Sequence, residues 1–409
     1  MKFIVATYGT EGDARPFAAL CRGLIDAGHE ARLLADAATL GSAQALGVPT
    51  TALAGDIRGT LGADHAIAGV VAKGGGFNGT ARALANIANE NADAWMRTIV
   101  QACEGCDAIL VAGLASFVGL CAAEYLGVQG IGSGMIPITP STAFPSPFLP
   151  PRWVPRPLNR ASHRFVNTML WKAFRDRTNA ARAAFGLPPR TAVWSSHPMV
   201  YGVSPSLLPA PADWPANAHL CGQWLAPDPV WTPPPALANF LAAGQAPVYI
   251  GFGSMAGFDN ERLLDALIEA MAGRRALFYP GWSGIDTRRL PGNFLVIGNT
   301  PHDWLFPRTA AVIHHGGSGT SHSAARAGVP SIVTPFAGDQ FFWAERLRLA
   351  GVAPCAVNGR RPKAAAFARA LDFVAQTKVR SRAQALGELM QAENGVAAAV
   401  AMLERVVSR

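Results

Sequence analysis

Short apolar runs alternate with amphipathic runs along most of the chain. Phe3 to Thr7, apolar through Ala6, reads as a short buried strand, and Gly9-Thr10-Glu11-Gly12-Asp13 follows it as a glycine-bounded loop. From Pro16 to Gly28 the apolar residues Phe17, Leu20, Leu24 and Ile25 recur at helical spacing, and Ala31 to Ala35, apolar but for Arg32, reads as the next strand. Strand, helix and strand from the first residues predict a parallel sheet covered by helices. The pattern continues with a strand led in by Gly47-Val48-Pro49, a helix over Ala81–Cys103, a strand over Ala108–Ala112, a helix over Ser116–Leu126 and a strand over Gln129–Met135. A second series opens at Val248–Ile250 and runs through a helix at Arg262–Met271 and strands at Ala276–Tyr279 and Phe294–Ile297. Ala311–Ile313 and Ser331–Pro335 are further strands flanking a helix at Ser321–Ala327, and helices run from Lys363 to the end. The expected fold class is α/β, with two doubly wound, Rossmann-like parallel-sheet domains facing a central cleft.

Three segments break the alternation. Gly55 to Gly79 is glycine-rich and weakly patterned, and reads as a mobile loop over a cleft. Pro140 to Arg182 starts with prolines and phenylalanines. It ends in a helix around His163–Phe185 that interleaves Phe165, Met169, Trp171 and Phe174 with Arg164, Lys172, Arg175, Arg177 and Arg182. Such a helix suits a membrane surface, a greasy acceptor pocket, or its own core. Pro205 to Pro247, with Pro233-Pro234-Pro235, has the composition of an extended, fairly stiff linker. The expected division is an N-terminal domain over 1–225, a linker over 226–245, a C-terminal domain over 246–390, and a final helix over 391–409 packing back on the first domain.

Bulk properties narrow the class. The 409 residues suit two domains, and with half the residues hydrophobic and 15% charged, large cores are expected and disorder is not. The net charge of +8 is spread without a dense Lys/Arg block, which favours anionic small molecules or a membrane surface over nucleic acid. Cys103-x-x-Cys106 lacks a second pair for zinc, so no metal site is expected. The first strand begins at once, and no run of eighteen apolar residues exists, so a cytoplasmic enzyme, peripheral to a membrane at most, is the expectation.

The chemistry concentrates in Ala311–Gln340. A strand ends in His314-His315-Gly316-Gly317-Ser318-Gly319-Thr320, a helix follows, and a second strand empties into Gly338-Asp339-Gln340. A glycine-rich loop feeding a helix N-terminus leaves amide groups free beside the positive end of the helix dipole, which suits a phosphate. The order is neither a Walker loop nor G-x-G-x-x-G. Asp339-Gln340 can make paired hydrogen bonds to vicinal hydroxyls, and Asp13, on a strand-end loop of the other domain, is placed to take a proton. A nucleotide sugar as donor and a hydroxyl as nucleophile use all of these parts.

Taken together, Gly9-Thr10-x-Gly12-Asp13-x-x-Pro16, Gly253-Ser254, Pro301-His302-Asp303-Trp304-Leu305-Phe306, the 314–320 run, Arg326-Ala327-Gly328-x-Pro330 and Gly338-Asp339-Gln340 resemble glycosyltransferase family 1, over essentially the full length. The likeness is greatest to the sterol and lipid glucosyltransferase branch, with the antibiotic-aglycone glycosyltransferases close by. The resemblance implies the GT-B fold and inverting transfer of a hexose from a UDP- or dTDP-sugar to a hydrophobic acceptor. In it Asp13 is the general base, in a loop shared with Gly9, Thr10 and Gly12. Ser254, His315, Gly316, Gly317, Ser318, Gly319 and Thr320 hold the donor diphosphate, and Asp339 and Gln340 hold the sugar. Trp282, Asn299 and Pro301 are the candidates for the nucleoside pocket. No cofactor beyond the sugar donor, no nucleic acid, and a monomer or weak dimer are implied.

The chain departs from the plant members of that family, which carry histidine where Asp13 stands and a ribose-binding glutamate where Ser323 stands. An unperturbed aspartate, with a pKa of about 3.9, is a weak base toward an alcohol, so partial burial of Asp13 is required. Asp13, Asp339 and Gln340 could also simply cap the helices that follow them. Two other functions fit less of the pattern: a GT-B nucleotide-sugar epimerase, which needs further acidic residues, and a non-catalytic nucleotide-sugar binding protein.

Overall fold

The computed structural model describes residues 1–61, 76–226, 231–253, 259–281 and 285–408. Two parallel sheets organise them. The first is built from β1 (Lys2–Tyr8), β2 (Glu30–Asp36), β3 (Thr50–Leu53), β4 (Ala108–Gly113), β5 (Gln129–Gly134), β6 (Met199–Tyr201) and β7 (Ala218–Leu220), in the order β3-β2-β1-β4-β5-β6-β7. The second contains β8 (Val248–Gly251), β9 (Ala276–Tyr279), β10 (Phe294–Val296), β11 (Ala311–His314) and β12 (Ser331–Val333), in the order β10-β9-β8-β11-β12. Each order reverses direction once, between β1 and β4 and between β8 and β11. In open α/β sheets the crevice at such a switch point receives the ligand.

The principal helices are α1 (Glu11–Asp26), α2 (Gly76–Ala102), α3 (Ser116–Leu126), α4 (Asn159–Ala184), α5 (Pro235–Ala242), α6 (Asn260–Met271), α7 (Ser318–Arg326), α8 (Gln340–Leu349), α9 (Ala364–Val374), α10 (Thr377–Gln391) and α11 (Gly395–Val407). Fully buried strand residues such as Val5, Leu33 and Leu110 face Phe17, Leu20 and Leu24 of α1 in one core layer, and α11 completes that layer with Ala399, Val400 and Leu403. Asn394 caps α11 by accepting from the Ala397 amide at 3.1 Å, and His29 meets Glu404 at 2.8 Å. The opposite face of the first sheet packs on α2 and α3 around Trp95, Met96 and Ile99.

The two domains share apolar contacts. Phe144, Tyr201, Val203 and Leu208 from the first pack with Phe342, Trp343, Leu347 and Met390 from the second in one buried cluster.

Several boundaries differ from the sequence expectation. Helix α1 starts at Glu11 rather than near Pro16, because Thr10 and Asp13 form a capping box that stabilises the turn ahead of the proline. The loop after β1 is therefore only Gly9-Thr10. Within the expected loop 55–79, Ile57–Leu61 and Gly76 onward are helical, and 62–75 lie outside the described residues. The proline-rich 205–247 stretch is not uniformly extended. Ala218–Leu220 pairs with β6 as the sheet edge, and Pro235, at the first position of α5, starts a helix that buries Leu237 near Tyr249, Leu305 and Phe306.

Candidate active site

The loops at the two switch points supply the groups. After β1, Asp13 sits at the third position of α1, half-buried. Its Oδ2 accepts from the Thr10 amide at 2.7 Å and from Thr10 Oγ1 at 3.1 Å. Its Oδ1 has no protein partner among the described residues. Gly9 allows this fold-back, since a Cβ there would lie 2.4 Å from Asp13 Oδ2. Asp13 thus does serve the helix, as the N3 member of the box and not as the N-cap, with one oxygen left for other work. Burial raises its pKa, and the two Thr10 hydrogen bonds only partly oppose that. Gly12 is exposed and its added Cβ would meet only Thr10 Oγ1, at 3.6 Å.

In the second domain β11 ends at His314, and the donor loop is shorter than the 314–320 pattern suggests. Gly317 is the N-cap of α7, so Ser318, Gly319 and Thr320 are its first turn and direct their amides out of the helix end. His314 is fully buried and accepts from the Gly316 amide through Nδ1 at 3.1 Å, which makes it structural. Gly316 has φ +92°, and a Cβ there would meet Val333 Cγ1 at 2.6 Å and the Gln340 carbonyl at 2.9 Å. His315 is held between glycines. A Cβ on Gly317 would lie 2.5 Å from its Nε2, and one on Gly253 at the end of β8 would lie 3.1 Å from its Cε1. Burial lowers its pKa to about 4, so the ring is neutral and offers an N–H rather than a charge. Gly319 is exposed, with open space above it.

Ser318 differs from expectation. Its hydroxyl donates to the carbonyl of Met135, just past β5 in the other domain, at 2.9 Å, so of its two donors the amide remains for an anion. Ser254 and Trp282 lie outside the described residues. Asn299, exposed in the loop after β10, borders a small cleft with Tyr249, Tyr279, Thr300 and His302, whereas Pro301, at the cap of the short helix His302–Leu305, does not line it. His302 stacks on Phe306 at 4.2 Å, and burial followed by the charge of Arg15 from α1 lowers its pKa to about 4.

Asp339 occupies the N-cap position of α8 but makes no capping bond there. Its Oδ2 accepts instead from the indole N–H of buried Trp343 at 2.9 Å. Burial, with a smaller contribution from the charge of Asp13, raises its pKa to about 7. Gln340 is buried, and its Oε1 accepts from the amides of Phe336 and Ala337 at 2.7 and 3.1 Å, fixing the loop in which Asp339 lies.

The sequence reading missed His322. It is buried one turn after Ser318, on the same helix face. Its Nδ1 donates to the Ser318 carbonyl at 2.8 Å, its Nε2 accepts from the Ser204 amide of the first domain at 3.3 Å, and its ring meets Trp343 edge-on. The i, i+4 spacing from Ser318 was visible in the sequence; the partner 118 residues upstream was not. Ser323, where the plant relatives carry glutamate, accepts from Gln223 Nε2 at 3.3 Å.

Known proteins resemble the chain in sequence and fold. Residues 263–405 match the family described as Erythromycin biosynthesis protein CIII-like, C-terminal domain. The chain is 33% identical to O-mycaminosyltylonolide 6-deoxyallosyltransferase of Streptomyces fradiae, covering 99% of this chain and 97% of that one. It is 31% identical to a sterol 3-beta-glucosyltransferase of Arabidopsis thaliana across 98% of its own length, while spanning 64% of that relative. Among solved structures, the kitacinnamycin glycotransferase superposes with a TM-score of 0.75 over 99% of both chains at 18% identity. With two facing parallel-sheet domains and full-length similarity of this kind, the chain belongs to the GT-B nucleotide-sugar glycosyltransferases, beside the sterol glucosyltransferases and the antibiotic-aglycone glycosyltransferases.

Proposed function

We propose that the protein is an inverting glycosyltransferase that moves a hexose, glucose in the first instance, from a UDP- or dTDP-sugar to a hydroxyl of a hydrophobic acceptor such as a sterol, lipid or polyketide. Residues 1–225 present the acceptor and 246–390 hold the donor. The observation that carries the reading is that Asp13, past the end of β1, lies near enough to Asp339, past the end of β12 in the other sheet, for its charge to raise the Asp339 pKa. A base and a sugar clamp are thereby opposed beside a helix N-terminus suited to a diphosphate. The hydrophobic acceptor is supported by the Arabidopsis relative, whose name specifies a sterol.

In this mechanism His315 and the amides of Gly316 to Thr320 hold the diphosphate, with Ser254 joining from the end of β8. The bond from the anomeric carbon to the phosphate oxygen breaks, and negative charge grows on the leaving group against donors already aimed at it. The same charge favours protonation of His315, so its N–H becomes a stronger donor as the bond lengthens. Asp339 engages the sugar hydroxyls together with Gln340, whose Oε1 also holds the loop. Asp13 Oδ1 takes the proton of the acceptor hydroxyl as that oxygen forms the new bond on the opposite face of the anomeric carbon. Burial makes Asp13 a stronger base than a solvated aspartate.

The test is a donor panel of UDP-glucose, dTDP-glucose and dTDP-rhamnose read by hydrolysis, then an acceptor screen with the product anomer assigned by NMR. Asp13→Asn is expected to lower kcat about 10²–10⁴-fold while donor still binds. Unchanged transfer in that variant removes the base assignment, and a panel with neither hydrolysis nor binding removes the transferase reading.

A further inference from the structure

The segment between β5 and the end of α4 carries apolar side chains outward. Trp153 is 69% exposed, Phe165 60%, Leu158 53% and Met169 51%. On α4, Phe165 and Met169 lie one turn apart, and Leu158 precedes them by two turns, so the three share one stripe. From Met135 to Arg175 the chain contains no aspartate or glutamate, yet it holds Arg152, Arg156, Arg160, Arg164, Lys172 and Arg175, all exposed. The first five of these have no ion-pair partner among the described residues.

This face is held firmly. Asp213 accepts from Ser141 Oγ at 2.9 Å and from the Thr142 amide at 2.7 Å. Asn159 donates to the Thr142 carbonyl at 2.9 Å, Ser162 Oγ accepts from the Ser146 amide at 2.9 Å, and His163 Nε2 donates to the Phe144 carbonyl at 3.0 Å. Phe144 is buried edge-on against Phe342 of α8. The orientation of α4 follows from its far end, where Arg182 pairs with Glu124 of α3, shortly before β5 begins. That end lies at the amino edge of the sheet. The start of α4, with Leu158 and Phe165, therefore lies toward the carboxyl edge, where Asp13 stands.

We propose that the face formed by Trp153, Leu158, Phe165 and Met169, flanked by Arg156, Arg160, Arg164 and Lys172, docks on an anionic lipid surface. Apolar tips enter the headgroup boundary, an interfacial tryptophan sits beside them, and the surrounding cations face lipid phosphates. Charge selects this occupant: a one-sign cationic rim of this kind is complementary to an anionic leaflet. Docking itself stands without the transferase reading. Its use, delivering an acceptor dissolved in the bilayer to the carboxyl edge of the first sheet, rests on that reading.

Flotation with phosphatidylcholine vesicles, with and without a minor fraction of phosphatidylglycerol, tests this on the full chain in the absence of donor. Binding is expected to the anionic vesicles only, and to weaken as salt rises. Each cation beside such a leaflet contributes roughly a fivefold factor, so R160E/R164E is expected to lower partitioning by about 25-fold or more. F165S/M169S is expected to abolish binding at every salt concentration, with melting temperature and turnover of a water-soluble acceptor unchanged in both variants. Equal binding to neutral vesicles, no binding, or binding indifferent to both variants overturns the proposal. So does self-association, seen by ultracentrifugation, that F165S/M169S removes. Vesicle binding by a chain that transfers no sugar leaves docking intact and overturns only the delivery.

Discussion

Asp339 feels Asp13 across the domain boundary: burial, then the charge of Asp13, lifts the Asp339 carboxyl to about 7. An aspartate raised on folding keeps its proton in the native state while the unfolded chain loses it above the ordinary value of 3.8. Its stabilising contribution is full below that value, declines as pH rises from about 4, and is gone above about pH 7. Asp13, also raised, contributes with the same sign. Melting curves from about pH 5 to about pH 8 are therefore expected to show a fall in the wild type that Asp339→Asn largely removes. Parallel curves for the two proteins contradict the assigned environment.

The confinement of His315 gives a second prediction. Gly317→Ala places a methyl 2.5 Å from Nε2 and must turn the ring away from the helix end. Losing one hydrogen bond to a charged group costs about 1.5–3 kcal/mol, so nucleotide diphosphate affinity, measured by calorimetry, is expected to fall roughly ten- to a hundredfold. Retained affinity means that His315 does not face the diphosphate.

The ties between the domains give a third. Ser318→Ala deletes the bond to Met135, an expected loss of about 0.5–1.5 kcal/mol. His322→Phe leaves both the Ser204 amide and a helical carbonyl without their partner and is expected to cost more, about 1–3 kcal/mol. Because burial lowers the His322 pKa from 6.5 to about 4, the native ring stays neutral while the unfolded one protonates below about pH 6.5, so this cost is expected to be constant above about pH 7 and to shrink as pH falls from there toward about 4. Urea unfolding at about pH 5 and about pH 8 measures it, and a cost that does not shrink at the lower pH contradicts the neutral bridge.

The seat of the C-terminal helix gives a fourth. A Cβ on Gly23 of α1 would lie 2.1 Å from Val396 Cγ1 of α11. Overpacking of this kind costs about 1–3 kcal/mol and outweighs the gain of about 0.5–1 kcal/mol from placing alanine in a helix. Gly23→Ala is expected to destabilise, and adding Val396→Ala to relieve it. Without that rescue, the contact is not what Gly23 protects.

The strands were legible because a strand buried on both faces is largely apolar, as Phe3–Ala6, Ile109–Val111 and Val248–Ile250 are. Helix starts were less so. Pro16 pointed to a start five residues too late, because the reciprocal bonds of Thr10 and Asp13 count for more than one proline. Likewise Ser318 to Thr320 read as loop and are the first turn of α7, since glycine-rich composition does not separate a turn from the helix it feeds.

By itself the sequence determined the two parallel-sheet domains, the glycine-rich loop before a helix N-terminus, and Asp13, Asp339 and Gln340 as polar groups at strand ends. These are local properties, set by periodicity, turn chemistry and residue type. Only the tertiary structure decided that Asp13 lies near enough to Asp339 to raise its pKa, that the Ser318 hydroxyl is taken by Met135, and that His322 joins the domains through Ser204. It also decided which side chains of α4 face outward. The first three depend on how the two sheets meet, and no periodicity within either sheet encodes that meeting.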